Sequence, residues 1–418
     1  MSALGGIGRA LASRDYRLYT IGNTLSLLGS WIQRMALGWL TWELTHSPAW
    51  LGAVAFAALV PPMILSPISG TLGDRMGTRR TAMVAMVLEA ANIATLAVLV
   101  ATGAITVHLL LVFALLQGIF FSFDFPVRHS LVPDLVPRSE LSAAISVNTA
   151  LFHVTSFVGP VIGGFVIAHF SIAPAFLFNI VSLICFIFIL RAMRLTRESH
   201  AGSERSFGYD LIDGFRYVFT HPAIRLLFVL SLACHIMMMR PYYDMLPAFA
   251  DRVFDRKIDG LTILAAASGL GGLVGGVWLA ARGRMHGLTW SYIWSLVGSA
   301  LCLAAFGFVS NFWLAVGLLV PVGVGPVISG IASQSLVQNV VDPAKRARVV
   351  GLSASFATGA PAVGALILGW LGELFGMGLP LAVTALLCAA VTIAAAPKLL
   401  AMKRAMEADE TSGRPTQN

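Results

Sequence analysis

Ionisable and amide side chains stand inside long apolar stretches of this chain, and their spacing groups them. Asn23, Ser26, Ser30 and Arg34 follow one another at steps of three and four, so a helix would carry them on one face, with Gln33 beside it. Gln117 and Asp124, seven apart, share a face in the same way. Arg240 and Asp244 are four apart and within pairing reach on a helix, with Tyr242, Tyr243 and His235 nearby. Glu89 is a further acid in another apolar stretch. The chemistry open to such groups is proton exchange at a desolvated carboxylate and recognition of an anion by arginine. Asp244, Asp124 and Glu89 are the proton-exchange candidates, in that order. Asn23, Ser26, Ser30, Gln33, Arg34, Gln117, His235, Arg240 and Tyr243 are candidates for lining a polar cavity. Plainer readings stand beside these: Asp244 as a structural partner of Arg240, Asp124 at the start of a loop pairing with Arg128, and His153 and His235 as packing histidines.

The elements that position these groups follow from composition. Hydrophobic residues make up 57% of the 418 and charged ones 11%, and the mean hydropathy is +0.82, which excludes a soluble globular protein and points to a lipid-embedded one. An ionisable side chain in lipid costs roughly 2.5 to 3.5 kcal/mol, so each needs a partner or a wet cavity. The apolar runs are long, not short and alternating, so they predict helices and not barrel strands. The net charge of +8 is scattered over short loops, which argues against nucleic acid as a partner. Cys185, Cys234, Cys302 and Cys388 fall in separate apolar segments without metal or disulfide spacing, so no metal or cofactor is expected. No cleavable leader is evident before the first span.

Twelve apolar segments are predicted, at 18–41, 50–73, 81–102, 106–124, 142–169 and 172–190, then 226–248, 261–281, 290–309, 312–334, 349–372 and 377–396. With both termini cytoplasmic, all of the 28 Lys and Arg except Arg34, Arg240, Arg252, Arg256 and Lys257 fall on the inner side, as the positive-inside rule requires. The chain therefore divides into a six-helix bundle over 1–190, a linker over 191–225, a second bundle over 226–397 and a disordered tail over 398–418. In the linker, Leu211, Phe215, Val218 and Phe219 have helical spacing, predicting an amphipathic helix flat on the membrane. A shift of 206 positions superposes Arg34 on Arg240 and Gly70 on Gly276; a shift of 201 superposes Pro160 on Pro361. Parallel halves of this kind place a site between them near the midplane.

Gly70 to Arg80, GTLGDRMGTRR, separates two spans and predicts a tight charged loop in water, with Gly77 supplying the left-handed turn. Arginines alone would satisfy an inner loop; Asp74 and both glycines at this spacing ask for more. Trp31, Trp39, Trp42 and Trp50 read as an interfacial belt. Pro61, Pro62, Pro67, Pro321 and Pro326 read as bending points.

These features together resemble the major facilitator superfamily: twelve spans, a repeat of six and six, a basic central loop and GTLGDRMGTRR between spans 2 and 3. More narrowly, GSWIQRMALGWLTWELTHSP, FDFPVRHSLVPDLVPRSELSAAISVN and FRYVFTHPAIR are similar to the bacterial efflux branch that includes enterobactin exporters. The resemblance implies an all-α fold of two pseudo-symmetric six-helix bundles, with spans 1, 4, 7 and 10 around a central cavity. It implies a conformational latch in Gly70, Asp74, Arg75, Gly77, Arg79 and Arg80, with Asp74 against the start of span 11. GPVIGG resembles an antiporter motif through Gly159, Pro160, Gly163 and Gly164; a packing face is the plain alternative. Ala114 stands where many members carry an arginine in span 4, which departs from that pattern.

The function implied is a monomeric exporter of a small organic molecule, drug-like or siderophore, across a bacterial inner membrane by proton antiport. Arg34 and Arg240 would meet an anionic or catecholate-like group, or tune an acid that exchanges a proton. An importer or uniporter of the same fold is the first alternative, and a membrane sensor or enzyme the second; no nucleophile elbow or phosphate loop supports an enzyme.

Overall fold

The computed structural model describes residues 3–193, 207–239, 241–282, 285–342 and 345–407. The first half comprises α1 (Ala3–Ala12), α2 (Arg14–Thr45), α3 (Pro48–Met76), α4 (Thr78–Ala101), α5 (Val107–Leu135), α6 (Leu141–His169) and α7 (Ile172–Ala192). After α8 (Phe207–Thr220) come α9 (Pro222–Cys234), the short α10 (Pro241–Asp244) and α11 (Leu246–Ala248), then α12 (Lys257–Arg282), α13 (Leu288–Phe306), α14 (Phe312–Val340), α15 (Arg346–Phe375), α16 (Gly378–Ala401) and α17 (Lys403–Met406). No strand occurs among the described residues. Ser13, Ser47, Thr106 and Asn311 start α2, α3, α5 and α14, each accepting a bond from a backbone N–H three residues on.

Among the described residues eleven helical segments are long and apolar enough to cross a membrane. The first predicted span, α2, is not one of them. Its length is ample, 32 residues or about 48 Å, but its polar stripe dilutes its apolarity. It packs inside the first half against α6 and α7.

The expected loop at 70–80 is corrected. Helix continues through Met76 and resumes at Thr78, so Gly77 alone makes the turn, with φ 85° and ψ 131°. A side chain there would be strained, which is what the glycine provides. Residues 70, 74 and 75 lie in the last turns of α3; their side chains lie outside the described set. Arg79 donates from Nη1 to the Met193 carbonyl, 3.4 Å, and Arg80 is exposed.

The halves meet along two helix pairs, α3 with α15 and α6 with α12. Close approach is explicit at Gly269, where a Cβ would sit 2.7 Å from Phe157 Cα and from the Ser156 carbonyl oxygen. At the end of the molecule that carries the α2–α3 turn, three hydrogen bonds join the halves. Trp42 Nε1 donates to Asp251 Oδ2 at 2.8 Å, Ser47 Oγ donates to Glu373 Oε2 at 2.8 Å, and Arg252 donates to the His46 carbonyl. The predicted belt of tryptophans is thus corrected: Trp39 and Trp42 are buried inside the protein, at 5% and 1% exposure.

The predicted seventh span is not one helix. α9 passes into a π-helical stretch at His235–Met239, then α10, α11 and a second π-helical stretch at Phe249–Val253. Pro241 and Pro247 remove backbone donors and so interrupt regular helix. Cys234 Sγ and Cys388 Sγ, expected as separate packing residues, touch at 3.2 Å while both remain free thiols.

α8 packs one face on protein. Val218 is fully buried and the Phe215 ring meets Phe356 of α15 edge-on, while Phe219 is 48% exposed. The tail is ordered as far as 407, contrary to expectation, because Glu407 accepts from the backbone N–H groups of Gly287 and Thr289 at 2.7 and 2.8 Å. Residues 408–418 lie outside the described set.

Candidate functional site

A cavity of about 370 Å³ lies between the halves, walled by α2 through Asn23, Ser30, Gln33 and Arg34, by α5 through Gln117 and Asp124, and by Tyr243 and Asp244 of the broken seventh span. A second cavity, about 570 Å³, adjoins it and holds His235; Trp31, Arg34, Phe152 and Tyr243 border both. The Arg34 guanidinium lies 4.7 Å from the centre of the Trp31 ring, which orients it at this boundary.

Glu89 of α4 also lines the first cavity, although α4, predicted span 3, is not among the four spans that the resemblance puts around it. Its side chain is 3% exposed. Gln117 Nε2 donates to Glu89 Oε1 at 2.6 Å, and Gln33 Nε2 donates to Gln117 Oε1 at 3.1 Å. Asn179 Nδ2 of α7 donates in turn to Gln33 Oε1, and Ser182 Oγ donates to Asn179 Oδ1 at 3.0 Å. Glu89 Oε2 is buried and has no hydrogen-bond partner among the described residues.

Asp124, expected at the start of a loop, is instead two-thirds of the way along α5 and 2% exposed. Its pairing with Arg128 is as expected: Arg128 Nε donates to Asp124 Oδ1 at 2.7 Å, and a second nitrogen meets Oδ2. Arg128 also donates from Nη1 to Ser26 Oγ at 2.8 Å and lies 4.8 Å from the centre of the Phe186 ring. Ser26 therefore sits behind the cavity wall, holding this arginine. A charge buried this deeply is stable only when paired and fully bonded, and Asp124 is both. Glu89 has one neutral donor.

The remaining predicted residues disperse. Arg240 lies outside the described residues, so its pairing with Asp244 does too. The glycines of GPVIGG face two ways: a Cβ on Gly159 would sit 2.5 Å from Trp31 Cβ and one on Gly163 3.4 Å from Ile32 Cα, whereas Gly164 abuts Thr262 of α12. Pro160 is buried within the same helix. The latch residues stand in the last turns of α3 and the first turn of α4, about the turn at Gly77.

Asn179 is the site residue that sequence reasoning missed. A lone amide in the apolar run 172–192 was its signal, since a buried side-chain amide in lipid must find partners. No group of three or more His, Cys, Asp or Glu that could hold a metal occurs among the described residues.

Known proteins bear on this arrangement. The chain matches the family described as transmembrane secretion effector over residues 9–417. It is 27% identical over 256 residues to the staphyloferrin A transporter of Staphylococcus aureus, a match spanning 60% of this chain and 63% of that one. It is 25% identical over 365 residues to the multidrug efflux pump Tap of Mycolicibacterium fortuitum, spanning 84% of this chain and 87% of Tap. Among solved structures, a nucleoside transporter, NupG, superposes with TM-score 0.70 at 15% identity, covering 93% of this chain and 99% of that one, which speaks to fold alone. With an all-helical membrane fold and a family match along nearly its whole length, the chain belongs to the transmembrane secretion effector family of the major facilitator superfamily, a multi-pass transporter and not an enzyme.

Proposed function

We propose that this protein exports a small organic molecule, drug-like or siderophore, across the bacterial inner membrane in exchange for protons, by alternating access. The observation that carries the reading is the contrast between two buried acids in one cavity wall. Asp124 is matched by Arg128, while Glu89 holds its charge against a single neutral amide donor. Proton binding removes that charge, so Glu89 is the proton carrier, with Asp124 and Asp244 as further acids of the cavity.

In this reading residues 1–190 and 226–397 rock as two bundles, the protein works as a monomer, and both termini are cytoplasmic. The bonds at Trp42, Ser47 and Arg252 then close the outer end. The charged turn containing Asp74, Arg75, Arg79 and Arg80 latches the inner end against the start of α15, with Gly70 and Gly77 permitting the approach. Arg34 supplies the contact for an anionic group on the cargo, and names such as the staphyloferrin A transporter support the siderophore option.

Reconstituted vesicles carrying an internal pH dye test the reading with a panel of antibiotics and siderophores. A panel compound should drive proton counterflow in the native protein, and Glu89→Gln should reduce that flow at least tenfold. Undiminished proton flow in Glu89→Gln would remove Glu89 as carrier, and proton movement in the same direction as the compound would make the protein an importer.

A further inference from the structure

The hydrogen bonds around Glu89 share one direction. Ser182 donates to Asn179, Asn179 to Gln33, Gln33 to Gln117 and Gln117 to Glu89, so every donor in a line from α7 through α2 and α5 to α4 points at the carboxylate. Each amide has its carbonyl occupied from one side and its NH2 committed to the other.

We propose that this amide line is a relay which reports the protonation state of Glu89 to α7 by reversing its direction. The proposal rests on the reading of Glu89 as the proton carrier. A proton arriving from the cavity forms an O–H bond at Oε1 and cancels the carboxylate charge. That oxygen must then donate, so Gln117 turns its carbonyl toward it and its NH2 toward Gln33. Gln33 turns in response, then Asn179, whose NH2 comes to face Ser182. The Ser182 hydroxyl can accept that bond, because it already has a second acceptor for its own hydrogen in the Asn179 backbone carbonyl, at 2.8 Å. Both directions of the line are therefore fully satisfied, which is the requirement for a two-state polar network. Oε2 has no hydrogen-bond partner among the described residues, so a proton there would make a buried hydroxyl that none of the hydrogen bonds described takes up.

The surroundings leave the relay to answer mainly to Glu89. Asp124 and Arg128 of α5 are the charged pair facing that carboxyl, and they are committed to each other and to Ser26. Arg34 of α2 borders the same cavity. The apolar part of α3, 48–65, contributes no ionisable group, and α7 has only Cys185 and the terminal Arg191. Ser182 and Asn179 also adjoin Gly29 of α2, where a Cβ would sit 3.0 Å from Asn179 Cα, so reversal is felt at the tight α2–α7 contact.

Infrared difference spectroscopy of the full chain in lipid nanodiscs, titrated with acid, tests this without a cargo. The protein is labelled with 13C at asparagine side-chain carbonyls, and Asn179→Leu identifies the band of that residue. The expected result is a protonated-carboxyl band that Glu89→Gln abolishes, accompanied at the same pH by a shift of the Asn179 amide band. Gln33→Met, which keeps length but cannot bond, should leave the Glu89 band and erase the Asn179 response. A Glu89 band that titrates in the native protein while the Asn179 band stays still overturns the relay and leaves the proton carrier standing. Absence of any carboxyl band dependent on Glu89 overturns the carrier reading itself, and the relay with it.

Discussion

The indole nitrogen of Trp42 donates to Asp251 Oδ2 across 2.8 Å, fastening the end of α2 to the π-helical stretch beyond α11. Around it the Arg252 guanidinium lies 5.0 Å from the centre of the Trp42 ring, and His46 Nδ1 is 3.8 Å from the same carboxylate oxygen. A bond to a charged acceptor is worth about 1.5 to 3 kcal/mol, enough to bias an equilibrium between open and closed ends tenfold or more. Trp42→Phe keeps the ring and removes the donor. A reporter cysteine at Thr41, which borders the cavity, should then be labelled at least fivefold faster by a membrane-impermeant reagent; an unchanged rate would count against the fastening.

α8 is held to the start of α15 by one carboxylate. Asp213 accepts from Lys345 Nζ at 2.7 Å and also from Arg348, while Tyr217 Oη accepts from the Asp342 backbone N–H at 3.2 Å. The hydrogen bond from Lys345, seconded by Arg348, holds the Asp213 carboxyl below its usual range. A carboxylate more acidic in the folded than in the unfolded chain contributes at every pH above the ordinary value of about 3.9 and loses its contribution as pH falls through the lowered one. Docking of α8 is thus expected to be constant through neutrality and to loosen only in strong acid. Asp213→Asn should loosen it at pH 7, read as faster hydrogen exchange over 207–220, and equal exchange in both proteins would show that the pair does not hold the helix.

Backbone meets backbone where α12 crosses α6. Gly269→Ala would push a methyl group to 2.7 Å from Phe157 Cα, and neither main chain can yield locally. Overpacking of this kind costs about 1 to 3 kcal/mol, so the thermal midpoint in detergent should fall by several degrees. Gly298→Ala is the control, because nothing lies within 4 Å of a Cβ there. A fall of the same size in both variants would refute a specific contact.

The sequence made some of this legible and hid the rest for physical reasons. Apolar length marked the helices, and Gly77 marked a turn, since few other residues take a positive φ without strain. The extent of the turn was hidden, because charged residues at helix ends and charged residues in loops look alike in a chain. The stripe from Asn23 to Arg34 was readable by its spacing on α2, and the structure puts Ser26 at one remove, bonded to Arg128. The place of Glu89 was hidden because α4 is apolar on its protein-facing and its outward-facing sides alike, with Val87 and Val98 exposed, so periodicity does not tell inward from outward. Asn179 gave only a single-residue signal, and its partners lie 146 and 3 positions away. The interrupted seventh span was signalled by Pro241 and Pro247, yet hydropathy averages over such breaks.

The modest apolarity of α2 bears on how the protein is made. Its amides and hydroxyls are met by α5 and α7, both synthesised later, so the nascent helix reaches the insertion machinery before the groups that neutralise it exist. Ribosome-bound chains ending short of residue 179 should therefore leave α2 extractable by alkaline carbonate, and chains that include α7 should not. A helix synthesised before its partners thus settles in lipid only after they arrive, which makes early folding of this half a joint act of several helices.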